Sequence, residues 1–471
     1  MQMAAHITSN AAPMHSSNAG TGLPTKLRNA VCGTSEEQVL LDPQFPYGED
    51  LLQFIWEKSM YEPHALRTTD GRPVDVIQPG CIQRNSGPDL SGALVRVDGQ
   101  LWAGTVEVHL RSSEWDAHGH QFDPAYENVV LHVVYLHDKE VRTQQGTRLP
   151  TLELITRIPL ERIHAYHALM RGKGFVPCAE RIGTVDPIKV RGWLNEVLEQ
   201  RLLRKAEVVE RIHMRTNGDV EETVYRLLAM GFGMHVNAEP FGMLAEALPW
   251  PLVKRYRDDP VRVEALVFGQ AGMLQVDFVD EHPRLLQADH AVLRKLYGLR
   301  PTPVGAWKFG RMRPANFPTM RLAQFAQFLV RSEGSFEKVL LLDDVKELRA
   351  LLDMEASPYW NTHHRFDHPS APLIKRLGTS AADHIIINTV VPALYALGRI
   401  QGRADRVQRA TALLEQLPAE HNSVLEGWSG LGWKASSAAD GQALMELRRT
   451  YCGQRQCLSC VIGMELLRTT R

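Results

Sequence analysis

Apolar residues recur along this chain in two rhythms, and the switch between them sets the expected architecture. Residues 1 to 45 follow neither: MQMAAHITSNAAPMHSSNAGTG is rich in Ser, Asn, Ala and Gly, which cannot assemble a core, and predicts a loose tail. It also lacks the basic start and continuous apolar stretch of a secretory signal. In EDLLQFIWEKSMYE, residues 49 to 62, Leu51, Leu52, Ile55, Trp56 and Met60 sit at helical spacing with Asp50 near the start. Between residues 64 and 111 the period falls to two. The Asp70-Gly71 and Asp98-Gly99 dipeptides there favour tight turns, so antiparallel strands are expected. The polar stretch SSEWDAHGHQFDPAYEN leaves room for a turn and a short helix before VVLHVVYLHD and LPTLELI resume the strand pattern.

From Pro159 onward the period is 3.6. Residues 187 to 215 place Val190, Trp193, Leu194, Val197, Leu198, Leu202 and Val208 on one side of a long helix, with Asp186 as its cap and Pro187 at its first position. Further helical segments follow to the end, separated by Gly, Pro and Asp, and no fixed-period repeat suggests a solenoid. The expected fold class is α+β: a small mixed α/β domain over 46–158, then a large all-helical region over 159–471 closed by a cysteine-bound metal.

Composition narrows the class of function. A chain of 471 residues with 44% hydrophobic and 23% charged residues is long enough for two or three ordinary globular cores. No apolar run approaches the roughly 18 residues a bilayer span needs, so no membrane is expected and the chain is placed in the cytoplasm. A net charge of −1 argues against a protein that coats nucleic acid non-specifically, while leaving room for a local basic groove. Six cysteines are too sparse for a disulfide scaffold, and three fall in the last twenty residues, a pattern that fits a reducing compartment and a metal.

Candidate chemistry concentrates in three places. In the first, Ser86-Gly87-Pro88-Asp89 precedes a strand whose hairpin partner carries Glu107-Val108-His109. Asp89 and Glu107 on adjoining strands suit a shared Mg²⁺ or Mn²⁺, because hard cations favour carboxylate oxygens. Alternatively the two acids cap turns or pair with arginines. Downstream, His118, His120 and His132 offer nitrogen ligands for zinc or manganese, with His109 able to join them. The second place is Cys452-x4-Cys457-x2-Cys460, which calls for a metal with Cys178 as the preferred fourth ligand and Cys81 and Cys32 as weaker candidates. Either a 4Fe-4S cluster or Zn²⁺ accepts four thiolates. The third is WKFGRMRPANFPTMR, where Lys308, Arg311, Arg313 and Arg321 interleave with Trp307, Phe309 and Phe317. Cations there would neutralise phosphates of DNA or RNA while the rings stack on bases, or the segment is an ordinary interhelical loop.

The helix, the hairpin and the Asp89…Glu107-x-His109 spacing resemble the PD-(D/E)xK nuclease superfamily. That resemblance implies phosphodiester hydrolysis, with Glu57 on the preceding helix as a further acidic residue. Where the superfamily has lysine this chain has His109, with Arg111 two residues on along the same strand face. Taken whole, GPDLSGALVRVDGQLWAGTVEVHLRSSEWDAHGH, VVLHVVYLHD, VNAEPFGMLAEALP, EALVFGQAGML, WKFGRMRPANFPTMRLAQFA and the cysteine tail resemble, over about residues 48 to 468, a bacterial family catalogued as domain of unknown function 2851. Two functions are expected: a metal-dependent nuclease or nuclease-derived DNA-processing protein, or a non-catalytic nucleic-acid-binding or scaffold protein that keeps the sheet. A zinc hydrolase built on the histidines is a third. Protein partners are not indicated.

Overall fold

The helical spacing after residue 48 produces helix α1, Glu49–Glu57, which buries Leu51, Leu52, Phe54, Ile55 and Trp56. It stops short of the pattern's end at residue 62 because Ser59 turns into the left-handed region, at φ 50°, and the indole N–H of Trp56 ties it to the carbonyl of Pro79 at 3.0 Å. The computed structural model describes residues 45–83, 86–332 and 336–469. The expected tail, with Cys32 in it, lies outside these residues except for its last position, Phe45, which is buried in the core.

Strands β1 (Val74–Gln78), β2 (Cys81–Ile82), β3 (Leu90–Val97), β4 (Gln100–Arg111), β5 (Val129–Leu136) and β6 (Thr151–Glu153) form one sheet in the order β1-β3-β4-β5-β6, with β2 also on β3. Asp98 and Gly99 both have positive φ, 51° and 79°, as a two-residue hairpin between β3 and β4 demands. Asp70-Gly71 instead closes a small turn whose flanks meet at the isolated Arg67–Pro73 bridge. β4 and β5 run parallel, and a parallel pair needs a crossover. Residues 112–128 supply it through helix α2 (Glu114–Ala117) and two single-turn 3₁₀ segments. The returning chain passes so close to β4 that a Cβ on Gly104 would lie 2.5 Å from the Asn128 carbonyl.

The two faces of β4 and β5 differ. Val106, Val108, Leu131 and Val133 enter the main core with α1, whereas Glu107, His109 and His132 are buried under the crossover beside Trp115. An acid and two histidines covered in this way are positioned by the pleat, whose side chains alternate between faces.

The helical region begins with α3 (Leu160–Arg171) and α4 (Pro187–Arg215). α4 matches its expected bounds, with Pro187 first and Asp186 accepting from the Ile188 amide at 2.9 Å. Asp186→Ala is expected to cost about 1 kcal/mol, the usual worth of such a cap, seen as a lowered Tm in thermal denaturation. Helices Val220–Phe232, Pro260–Gln270, Glu281–Tyr297 and Pro318–Arg331 continue the region. Residues Thr379–Ile400 form one apolar helical run with a π turn at Ile386–Val390. With 22 residues and an 18-residue window of mean hydropathy 1.2 it is long and apolar enough to cross a bilayer by length and composition alone. Yet 83% of its most apolar window is buried within the fold. One contiguous core of buried apolar residues extends from Phe45 to Leu467, joining the sheet to the helices, and a smaller cluster of Trp115, Val129, Val141 and Leu149 lies apart from it.

Candidate metal centre

Asp89, one residue before β3, and Glu107, on β4, meet through reciprocal backbone bonds: the Asp89 amide donates to Glu107 Oε2 at 3.0 Å, and the Val108 amide to Asp89 Oδ2 at 3.0 Å. Each carboxylate keeps its second oxygen for another partner. Glu107 Oε1 faces His109 Nε2 at 3.5 Å and His120 Nε2 at 3.3 Å. His118 Nδ1 lies 3.2 Å from His109 Nε2, and the ligand atoms of His109, His118 and His120 are all within 4.8 Å of one another. These spacings suit edges of one coordination polyhedron: ligands about 2.1 Å from a common ion lie about 3.0 to 3.4 Å apart. His118 is exposed and His109 buried, so the cluster opens to solvent on one side.

The crossover holds the histidines in place. Asp138, after β5, accepts from Ser112 Oγ and from the amide and hydroxyl of Ser113, pinning the start of the crossover to the chain that leaves β5. Trp115 is fully buried and donates its indole N–H to the Arg142 carbonyl at 3.0 Å. His120 stacks on Tyr126 with ring centres 3.8 Å apart. His132, expected as a ligand, stands behind the cluster: its Nε2 meets His109 Nδ1 at 2.9 Å. A partner on the far ring nitrogen fixes the orientation of a ligating histidine.

The helix contributes a different acid from the one expected. Glu57 binds the Ile82 amide at 3.2 Å and Lys58 at 2.7 Å. Glu49, in the first turn, interacts instead with Asp89, Glu107 and Glu114 and accepts from the Leu110 amide. The two residues share a helix stripe, but eight residues are about 12 Å of axial rise, and only Glu49 is at the depth of Asp89. Gln53, halfway between, hydrogen-bonds Asp89. Arg111 also departs from its expected role: its guanidinium turns to Asp138 at 3.9 Å while its amide binds Glu114.

The buried acids and histidines shift one another's titration. Burial, reinforced by the Asp89 and Glu49 charges, pushes Glu107 up to about 8. Burial together with Glu114 and Asp89 raises Glu49 to about 7, and burial raises Asp89. His109 is held down to about 3, first by burial and then by His120 and His118. It is therefore neutral at physiological pH, able to bind a metal and unable to supply the positive charge of the lysine it replaces. Tyr126, raised to about 12 by burial and by Glu107 and Asp89, keeps its phenol proton. Crowded carboxylates beside neutral imidazoles are the donor set of a divalent cation.

The profile of a family described as "Protein of unknown function (DUF2851)" matches residues 49–423. The chain belongs to DUF2851. The match takes in every residue of the centre and ends before the terminal cysteines, which the sequence resemblance had included. No curated protein and no solved structure matched the chain.

In this DUF2851 protein the basic segment divides. Arg321 is buried, bonded to Gln324 at 3.0 Å and Asn316 at 2.8 Å, and burial lowers it to about 10. It holds the loop rather than meeting a strand. Trp307 is buried with its indole N–H on the Ala271 carbonyl, and Arg365 stacks on Phe309 and Phe317 at 4.9 and 4.7 Å. Lys308, Arg311 and Arg313 remain exposed. Arg321→Ala is accordingly expected to lower Tm, whereas Arg311→Ala with Arg313→Ala should leave Tm unchanged, as thermal denaturation of the two variants would read.

The cysteines also sort by position. Cys81 is exposed on β2. Cys178, Cys452, Cys457 and Cys460 lie near enough that every pair among them interacts electrostatically.

Proposed function

We propose that this protein is a metal-dependent phosphodiesterase, a nuclease or nuclease-derived DNA-processing enzyme, working with Mn²⁺ at the centre formed by Asp89, Glu107, His109, His118 and His120. One observation carries this reading: ligand atoms of His109, His118 and His120 lie within 4.8 Å of one another, and Glu107 Oε1 stands 3.5 Å from His109 and 3.3 Å from His120, beside a second carboxylate. The imidazoles favour Mn²⁺ over Mg²⁺, which prefers an all-oxygen shell. A divalent ion held there would supply Lewis acidity, activating water and neutralising charge on a scissile phosphate.

The protein's own groups suit the remaining tasks. Glu49, raised to about 7, titrates where a general base at neutral pH works best. The protonated phenol of Tyr126 can donate to a developing negative oxygen. Phosphodiesters are favoured as substrate by the order of elements, a helix, an acid-bearing hairpin, a crossover and a parallel strand, which parallels the nuclease resemblance. They are also favoured by a 590 Å³ cleft lined by Gln53, Glu57, Lys58, Tyr166, Arg455 and Ser459, which reaches the centre through Gln53. Lys58 would meet a phosphate backbone there.

The test is cleavage of labelled single- and double-stranded DNA by purified protein loaded with Mn²⁺, Mg²⁺ or Zn²⁺ in turn. Cutting with Mn²⁺ that EDTA abolishes is the expected result. Salt-dependent DNA binding without cutting in any metal would favour the non-catalytic reading.

A further inference from the structure

The terminal cysteines sit in a segment clasped to the opposite end of the helical region. Arg455 reaches the carbonyls at the end of α3, bonding Leu169 at 3.2 Å and Gly172 at 2.9 Å. Arg162 of α3 returns the contact to the carbonyls of Leu467 and Arg468. Trp193 of α4 packs on Tyr451 at 5.0 Å, and the Tyr451 hydroxyl binds Gln200 of the same helix at 2.9 Å. These contacts bring Cys178, in the link between α3 and α4, to the terminal triplet although some 270 residues separate them in sequence.

Backbone in this segment is arranged around the sulfurs. Arg455, between Cys452 and Cys457, is held at φ 53°, a conformation that non-glycine residues rarely adopt and that surrounding structure must enforce. The next turn is so tight that a Cβ on Gly463 would lie 2.2 Å from the Cys457 carbonyl. Cys457 and Cys460 are buried, and Cys178 and Cys452 pack against the same core. A sheltered thiol usually needs no neighbour of its own kind; here four occupy one spot.

We propose that Cys178, Cys452, Cys457 and Cys460 ligate one 4Fe-4S cluster, which staples the carboxyl-terminal segment to the α3–α4 link. The proposal is independent of the phosphodiesterase reading. Spacing selects the cluster over zinc. A single Zn²⁺ with bonds of about 2.3 Å draws its four sulfurs to about 3.8 Å from one another. Among the described residues no three of these sulfurs come within 4.8 Å of one another. A cubane, with iron at alternate corners, spreads its cysteine sulfurs farther apart than one ion does. The thiol chemistry agrees: burial and the neighbouring sulfurs raise Cys178 and Cys457 to about 12 and raise Cys452 further. At Cys460 burial also raises the thiol, while the amides of Ile462 and Gly463 and the Trp193 side chain favour its thiolate. Four thiolates gathered without a cation would repel, and a cationic cluster core removes that cost. The staple would also fix one wall of the cleft, since Arg455 and Ser459 line it.

Protein purified without oxygen should be brown, carry about four iron and four sulfide per chain, and lose part of its visible absorbance on reduction with dithionite. Cys178→Ser and Cys457→Ser should each lose more than half of the iron, and the segment around Gln454 should become cleavable by protease. Cys81→Ser should retain the full iron content. Should the ligand variants prove insoluble, removing iron from wild-type protein with an oxidant and chelator should expose the same segment while the chain stays soluble. Colourless protein with one zinc and no sulfide, or undiminished iron in Cys178→Ser, would overturn the proposal.

Discussion

Glu107→Gln should fold, remain soluble and cut DNA more than 100-fold more slowly than the parent under saturating Mn²⁺. Glu107 is expected to suffer most because its two oxygens serve two purposes. Oε2 accepts from the Asp89 amide, which fixes the hairpin, and Oε1 points at His109 and His120. The amide replacement keeps an oxygen for the first contact and removes the anionic ligand for the second. Asp89→Asn should behave alike. His132→Ala removes only the partner of His109 Nδ1, and loss of such an outer partner typically costs about 10- to 100-fold in metal affinity or activity. Glu57→Gln, on the cleft wall, should leave Mn²⁺ affinity unchanged. The measurements are single-turnover cleavage and calorimetric Mn²⁺ titration with circular dichroism as the folding control. Equal cleavage by Glu107→Gln and the parent would remove this centre from the reaction.

Manganese affinity should climb about 50-fold between pH 6 and pH 8 and level off above, because the ion must displace a proton from Glu107. With Glu107 titrating at about 8 in the folded chain, the anionic form is scarce at pH 6 and half populated at pH 8. The same shifts make the stability of metal-free protein depend on pH. Glu107 has a folded value raised above its ordinary 4.5, so its contribution is fully present below 4.5 and disappears as pH rises through 8. His109 is depressed from 6.5 to about 3, so its contribution is full above 6.5 and disappears as pH falls through 3. Between 4.5 and 6.5 the two slopes oppose each other. Glu49 and Asp89, also raised, act in the same sense as Glu107, and His120 and His132, also lowered, act in the same sense as His109, so metal-free protein should show a Tm plateau there and decline on either side, with Mn²⁺ restoring stability on the alkaline side. A Tm that rises steadily from pH 6.5 to 8.5 without metal would contradict the buried-carboxylate account.

Local signals made much of this molecule readable from its residues. Asp186 and Pro187 announced α4 because a cap and a fixed φ act within one turn. Asp98-Gly99 announced the β3–β4 hairpin because both positions need positive φ. With the hairpin in place, Asp89 and Glu107 followed as neighbours.

What the residues alone left open depended on groups distant in sequence. Glu49 and Glu57 lie on one stripe of α1, flanking Gln53, and helix periodicity reports direction around the axis without reporting depth along it. The packing of α1 on the sheet decided in favour of Glu49. Parallel pairing of β4 with β5 was equally invisible, since alternation of apolar residues is the same whichever way a neighbouring strand runs. That pairing sends residues 112–128 over the face of the sheet, carries His118 and His120 to Glu107, and leaves His132 behind His109. Arg321 read as a surface cation because charge in a sequence says nothing of burial; Gln324 and Asn316, close in the chain, satisfy it inside. The amino-acid sequence determined the elements and most of the chemically capable side chains, through interactions that span a turn or a hairpin. Which of them share a site was settled by helix–sheet packing and the crossover, because convergence is a property of the folded core.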